Sequence, residues 1–150
     1  AAHVNLVIGH RSGPVGTAWA TSLATPRKGF VPFVAVARPG VPIVPLTLFV
    51  NKAEIENDQH GYITWGAAQA GLAHGMGRAH DEGLFPSSVN DLVVIAAMWV
   101  NPSAHDEELV YANNADATLA AVEMAYSGGP AVHDALSAMM SPVNPYFRQT

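Results

Sequence analysis

The chain has 150 residues, no cysteine and a formal charge of −5; that length fits one domain, which buries roughly 68–70% of its extended surface without a disulfide or metal staple. The missing cysteine excludes disulfides, thiolate metal sites and cysteine nucleophiles. Charged residues make up 13% and hydrophobic ones 49%, against about 25% charged in an average soluble domain, which excludes a disordered chain and predicts apolar surface covered by a partner.

His3 to Gly9 alternates cleanly, with Val4, Leu6 and Ile8 on one face and His3, Asn5 and Val7 on the other. This reads as a strand with an apolar back and a partly polar front. Ser12-Gly13-Pro14 predicts a helix start, with Ser12 as N-cap and Pro14 in the first turn. Pro26 ends that helix near Ala24. Gly29 and Phe30 lead into a second strand, about Val31 to Ala37, followed by the turn-rich loop Arg38-Pro39-Gly40-Val41-Pro42. Leu46 to Ile55 reads as the third strand, with Leu48, Val50, Lys52 and Glu54 sharing one face.

Gln59-His60-Gly61 marks a loop. From about Thr64 to Glu82 the period is helical, with Trp65, Ala68, Leu72, Met76 and Ala79 as the apolar stripe and Gly83 as C-cap. Asp91 to Val100 is apolar on both faces and is expected to be a central strand. A third helix is predicted over about Asp106 to Ser127, stopped by Gly128-Gly129-Pro130. A short helix, about Ala131 to Met140, precedes a Pro-rich tail. The order β-α-β-β-α-β-α predicts a two-layer α/β sandwich forming a single domain over residues 1–150.

The longest apolar run, Leu92 to Val100, is nine residues long, against the roughly 20 needed for a membrane helix, so no membrane span is expected. The N-terminus has no basic n-region and no small-residue cleavage site, which predicts no signal peptide and a cytoplasmic address. Charge is split along the chain: residues 1–53 hold five of the seven basic residues, and all twelve acids lie from Glu54 onward. The N-terminal third is thus suited to an anionic ligand, or the split reflects neighbouring patches within the fold or between subunits. The negative total and the absence of a basic run with interleaved aromatics argue against nucleic acid.

Candidate chemistry is sparse. None of the seven histidines forms a helix-face pair with a third ligand nearby, so no metal is expected. His74 and His80 lie six apart, and their directions diverge by about 120° on a helix. GHRSGPVGT lacks the endings of phosphate and dinucleotide loops, and no GxSxG elbow is present. What remains is a set of polar residues on otherwise apolar elements: His3 and Asn5 on the first strand, Lys52 and Glu54 on the third, and Gln69 inside the helical stripe. Together they could form an acid/base and hydrogen-bonding wall. Separately they read as a surface histidine, a Lys52–Glu54 pair at a sheet edge and a packing residue.

The segments AHVNLVIGHRSGPVGTA (2–18), KGF (28–30), VPIVPLTLFVNK (41–52) and GAAQAG (66–71) resemble the formaldehyde-activating enzyme family. The match runs without a gap from His3 to about Gly71 and continues less tightly through Asp91-Leu92 and Asn114–Thr118. The resemblance implies a homopentamer whose fold is similar to the second domain of ribosomal protein S5. It implies condensation of formaldehyde with tetrahydromethanopterin, giving the methylene derivative and water, in one-carbon metabolism. Tetrahydromethanopterin is then a co-substrate, and no protein-bound cofactor is expected. His3 corresponds to the family's proposed general acid. An imidazole suits protonation of a hydroxymethyl adduct, whose hydroxide otherwise leaves slowly. Holding both pterin nitrogens and the one-carbon unit in place adds to the rate.

The resemblance also carries over the pterin-binding residues. Lys52 and Gln69 match the family. Val34 replaces a leucine, Asn5 an aspartate and Glu54 a threonine. The last two changes remove one charge beside His3 and place a carboxylate beside Lys52. They leave two alternatives open: a diverged paralogue that binds a pterin or formaldehyde as sensor or carrier, or a condensation onto a different amine or folate-like acceptor.

Overall fold

A computed structural model describes residues 2–144. The first strand, β1 (His3–His10), pairs antiparallel with β6 (Leu92–Trp99), which runs parallel to β5 (Leu46–Asn51). The short β2 (Phe33–Val34) pairs antiparallel with β5 and closes the sheet, giving the order β1-β6-β5-β2. The strand that is apolar on both faces, β6, is therefore internal, as its composition predicts. One face of the sheet carries Val4, Leu6, Ile8, Phe33, Phe49, Val94, Ala96 and Met98 into the main core. Leu72, Met76, Leu119 and Val122 of α3 (Gln69–Asp81) and α4 (Glu107–Ser127) cover that face. The mixed two-layer α/β architecture agrees with the sequence reading.

Close approach of α3 and α4 requires glycine. A Cβ at Gly71 would stand 2.5 Å from the Tyr111 carbonyl oxygen, and one at Gly75 2.5 Å from that of Ala115. The opposite sheet face holds His3, Asn5 and Val7. There α1 (Pro14–Ala24) lies against β1 and β6, with Val15 seated where Gly9 has no side chain. Away from that contact His3 and Asn5 stay exposed, whereas Leu48 of β5 is buried on the same face.

Several local expectations are corrected. Gly13, not Ser12, is the N-cap of α1, and the Ser12 hydroxyl bonds His10 Nδ1 at 2.7 Å instead. The second strand is not continuous over Val31–Ala37. Ala35 donates its N–H to Thr47 O of β5 but accepts at its carbonyl from Ile43 N–H. The chain thereby leaves the sheet and starts a separate hairpin, β3 (Val36–Arg38) with β4 (Val41–Pro42). β5 ends at Asn51 rather than Ile55, so Lys52 and Glu54 lie beyond the strand.

The Gln59-His60-Gly61 segment is not a loop but part of α2 (Asp58–Tyr62), capped by Asn57 Oδ1, which accepts the His60 N–H at 2.9 Å. His60 is buried, with Nδ1 accepting from Glu56 N–H and Nε2 directed at Val100 O, 3.2 Å away. Between α2 and α3 the residues Ile63–Ala68 form a wider π turn. It shifts the helical phase: Ala68, Leu72, Met76 and Ala79 are buried as predicted, but Trp65 leaves the stripe and is 44% exposed. Glu82, not Gly83, is the C-cap of α3, and Gly83 follows it with φ +70°; α4 begins at its N-cap Asp106 and ends at Gly128, as the sequence suggests. The last helix, α5 (Val132–Ala138), is shorter than expected. Most of the Pro-rich tail lies outside the described residues.

Candidate functional site

The exposed end of that sheet face, at the start of β1 and just past the end of β5, gathers the first group of candidate residues. Asn5 stands opposite Ala97 of β6, which stands opposite Val50 of β5. Lys52 extends the β5–β6 ladder by one rung, its N–H donating to Met98 O at 2.7 Å. Its ammonium then reaches across β6, where Ala97 is too small to block the path, and donates to Asn5 Oδ1 at 2.7 Å. His3 lies on the same face, opposite Trp99 and two residues from Asn5, hence about 7 Å away along the strand. Its imidazole is exposed and has no partner among the described residues.

The other candidates are placed elsewhere. Val34 is level with Leu48, so it shares the face of Val50 and Lys52, but on β2, the far edge from β1. Three strand spacings separate those edges, roughly 14 Å. Gln69, 7% exposed, opens α3 in the helical layer, and its Oε1 accepts the Val36 N–H at 2.8 Å. That is the amide stranded where β2 gives way to β3, so Gln69 closes a gap in the sheet edge. Its amide NH₂ has no partner among the described residues. Glu54 leans on Gly29, where a Cβ would collide with Glu54 Cγ. Among the described residues there is no Lys52–Glu54 ion pair; Lys52 is engaged by Asn5 instead. The chain therefore joins His3, Asn5 and Lys52 on one surface but does not gather all six residues around one small ring.

Two grooves flank these groups. One of about 530 Å³ adjoins Lys52 and Val50 and extends to Phe30, Arg27, Thr25 and Ser22. A larger one, about 640 Å³, lies against α2 and the π turn, lined by Ile55, Asp58, Tyr62 and Trp65 among others. The larger is lined by none of the six candidate residues, and the smaller by Lys52 alone. Among the described residues no cluster of three His, Asp or Glu side chains could hold a metal ion, and no helix is long and apolar enough to cross a membrane.

Sequence reasoning missed Ser22 and Thr25, whose hydroxyls on the last turn of α1 carried no signal, and counted Arg27 only as charge. It also missed Trp65 and Tyr62 as exposed aromatics, because the π turn is invisible to a 3.6-residue period.

Comparison with known proteins follows the same residues. The protein-family model for the formaldehyde-activating enzyme (Fae) matches residues 1–147. The 5,6,7,8-tetrahydromethanopterin hydro-lyase of Methanosarcina barkeri is 36% identical over 146 residues, spanning 97% of this chain and 82% of that protein. The bifunctional enzyme Fae/Hps of Methanococcoides burtonii is 37% identical over 136 residues, 90% of this chain. That of Methanosarcina acetivorans is 36% identical over 136 residues, also 90% of this chain. The chain spans about a third of the length of these bifunctional relatives. On a match that covers nearly its whole length, the chain belongs to the formaldehyde-activating enzyme family.

Proposed function

We propose that this chain, as one catalytic domain, condenses formaldehyde with tetrahydromethanopterin to 5,10-methylene-tetrahydromethanopterin and water, and that it does so in the cytoplasm. The observation that carries the reading is the joining of His3, Asn5 and Lys52 on one open sheet face, fixed by the Lys52–Asn5 hydrogen bond. One pterin nitrogen adds to the formaldehyde carbon, and the resulting hydroxymethyl oxygen takes a proton from His3. The C–O bond then breaks, water leaves, and an iminium carbon remains. The second pterin nitrogen closes onto that carbon and loses a proton, so the reaction is neutral in protons overall. Lys52, held by Asn5, offers its remaining donors to the pterin, and the free NH₂ of Gln69 and the apolar Val34 contribute from the other sheet edge. Because those edges are far apart in one chain, the reading includes a homo-oligomer, a pentamer by resemblance, in which one protomer's β1 edge faces another's β2 edge.

The test follows methylene-product formation from formaldehyde and tetrahydromethanopterin above the spontaneous rate, for wild type and His3→Ala. The wild type is expected to exceed background, and the substitution to cost roughly 10²-fold or more in kcat, as loss of a general acid does, with KM nearly constant. Equal losses in binding and turnover would remove His3 from the acid role. A second reading, a binding paralogue, is favoured by Asn5 and Glu54, which stand where the family pattern has aspartate and threonine; a flat trace beside tight pterin binding would establish it.

A further inference from the structure

The groove beside Lys52 is built for an anion. Two cations, Lys52 and Arg27, line it, and no Asp or Glu does. Neither cation has a carboxylate partner among the described residues, where the ion pairs are Arg78–Asp116 and His133–Asp134. Arg27 is also pre-positioned. It opens a four-residue turn closed by reciprocal backbone bonds, Arg27 N–H to Phe30 O and Phe30 N–H to Arg27 O, both 2.9 Å. Gly29 takes φ +75°, the sign that the third position of a type II turn requires. Asn51 Nδ2 ties that turn to the end of β5 through the Gly29 carbonyl at 2.7 Å. The guanidinium stacks over the Phe30 ring, 5.7 Å from its centroid, which limits the conformations it must give up on binding.

The neighbouring end of α1 is a helix C-terminus, which disfavours an anion. Two of its last carbonyls are already used, however: Ser22 O accepts the Thr25 N–H, and Thr21 O accepts the Thr25 hydroxyl. Ser22 Oγ has no partner among the described residues and remains a donor on the wall.

We propose that this groove is an oxyanion subsite, binding phosphate or carboxylate through the Arg27 guanidinium, the Lys52 ammonium and the Ser22 hydroxyl. Resting on the functional reading above, the oxyanion belongs to the acidic tail of the reduced pterin; the other source of the same chemistry is free inorganic phosphate. A planar guanidinium presents two parallel donors to such a group, and a charged donor makes the stronger type of hydrogen bond.

The experiment has two arms. In the first, inorganic phosphate is titrated at low ionic strength into wild type and Arg27→Ala, with the backbone amides of Ser22, Phe30 and Lys52 followed by NMR. Saturable shifts in the wild type that disappear in the variant are expected. The turn's backbone bonds do not use the Arg27 side chain, so the variant keeps its fold, which its amide spectrum reports directly. No saturable shift, or the same shifts in both proteins, overturns the subsite whatever the activity. In the second arm, affinities are compared for tetrahydromethanopterin and for a tetrahydropterin lacking the tail. Removing the tail is expected to weaken wild-type binding roughly ten-fold and to change Arg27→Ala binding little. An equal ratio in both proteins overturns the tail assignment. A chain that passes the phosphate arm but forms no methylene product loses the functional reading and keeps the subsite.

Discussion

Lys52 and Asn5 hold each other across β6, and this bond changes the meaning of the two residues that depart from the family pattern. Asn5 supplies an acceptor but no charge, and Lys52 keeps a full positive charge at the mouth of the groove. Glu54, which by sequence looked like the partner of Lys52, leans on Gly29 instead and leaves that charge unneutralised. The consequence for catalysis can be sized. A carboxylate at position 5 lies about 7 Å from His3 along the strand. In a water-like medium that distance is worth about 0.6 kcal/mol, roughly three-fold, in favour of a protonated imidazole. Because that carboxylate would also pair with Lys52, three-fold is the upper bound, and Asn5→Asp is expected to raise kcat by no more than about three-fold for the acid step, with Glu54→Thr adding little. Steady-state kinetics of both single variants and the double variant would check this. No gain with Asn5→Asp would mean that charge at position 5 does not set the rate.

At the scale of elements, Gln69 joins support and function. Its Oε1 holds the Val36 N–H at the point where the chain leaves the sheet. Gln69→Leu strands that amide, at a cost of about 1–3 kcal/mol, or about 2–12 °C in Tm for a chain of this size. Gln69→Glu keeps the acceptor and is expected to recover most of the stability while losing the NH₂ proposed to contact the pterin. Thermal melts beside pterin affinities separate the two roles; equal stability of both variants would show the Val36 bond to be dispensable. The same junction shows what could be read in advance. Period-2 alternation in β1, the doubly apolar β6, and the Asp106 and Gly128 boundaries of α4 are local signals, and each held. The break at Ala35 depends on Thr47 and Ile43, the burial of His60 on Val100, and the exposure of Trp65 on a π turn. Those are long-range or off-period events that no local pattern encodes. His3, Asn5 and Lys52 could be placed on strand faces from alternation, and their roles came from resemblance. That Val34 stands at the opposite edge from His3 follows from the strand order β1-β6-β5-β2, which pattern alone did not supply.

At the scale of the whole molecule, many large apolar side chains stay exposed. No residue of α1 is buried, although the helix carries no charged side chain and includes Trp19 and Leu23. α5 and the residues after it add Val132, Leu136, Met139, Met140 and Val143, every one exposed, with Met140 at 85%. Each fully buried side chain of this kind contributes about 1.5–3 kcal/mol, so covering many of them can offset the roughly 4–15 kcal/mol that association costs, and the split between a basic first third and an acidic remainder favours contact between unlike patches. Sedimentation equilibrium at micromolar concentration is expected to give a whole multiple of 15.8 kDa, five by resemblance, and a monomer would overturn the assembly. Leu23→Glu and Leu136→Glu identify which surface is used: the one that matters yields the smaller species. Because His3 and Val34 occupy opposite edges of one sheet, the dissociating variant is also expected to lose methylene formation while its His3, Asn5 and Lys52 remain in place. A dissociated protomer that retained full activity would place the whole site within one chain and move the second half of the pterin contact from Val34 and Gln69 to the residues around Lys52.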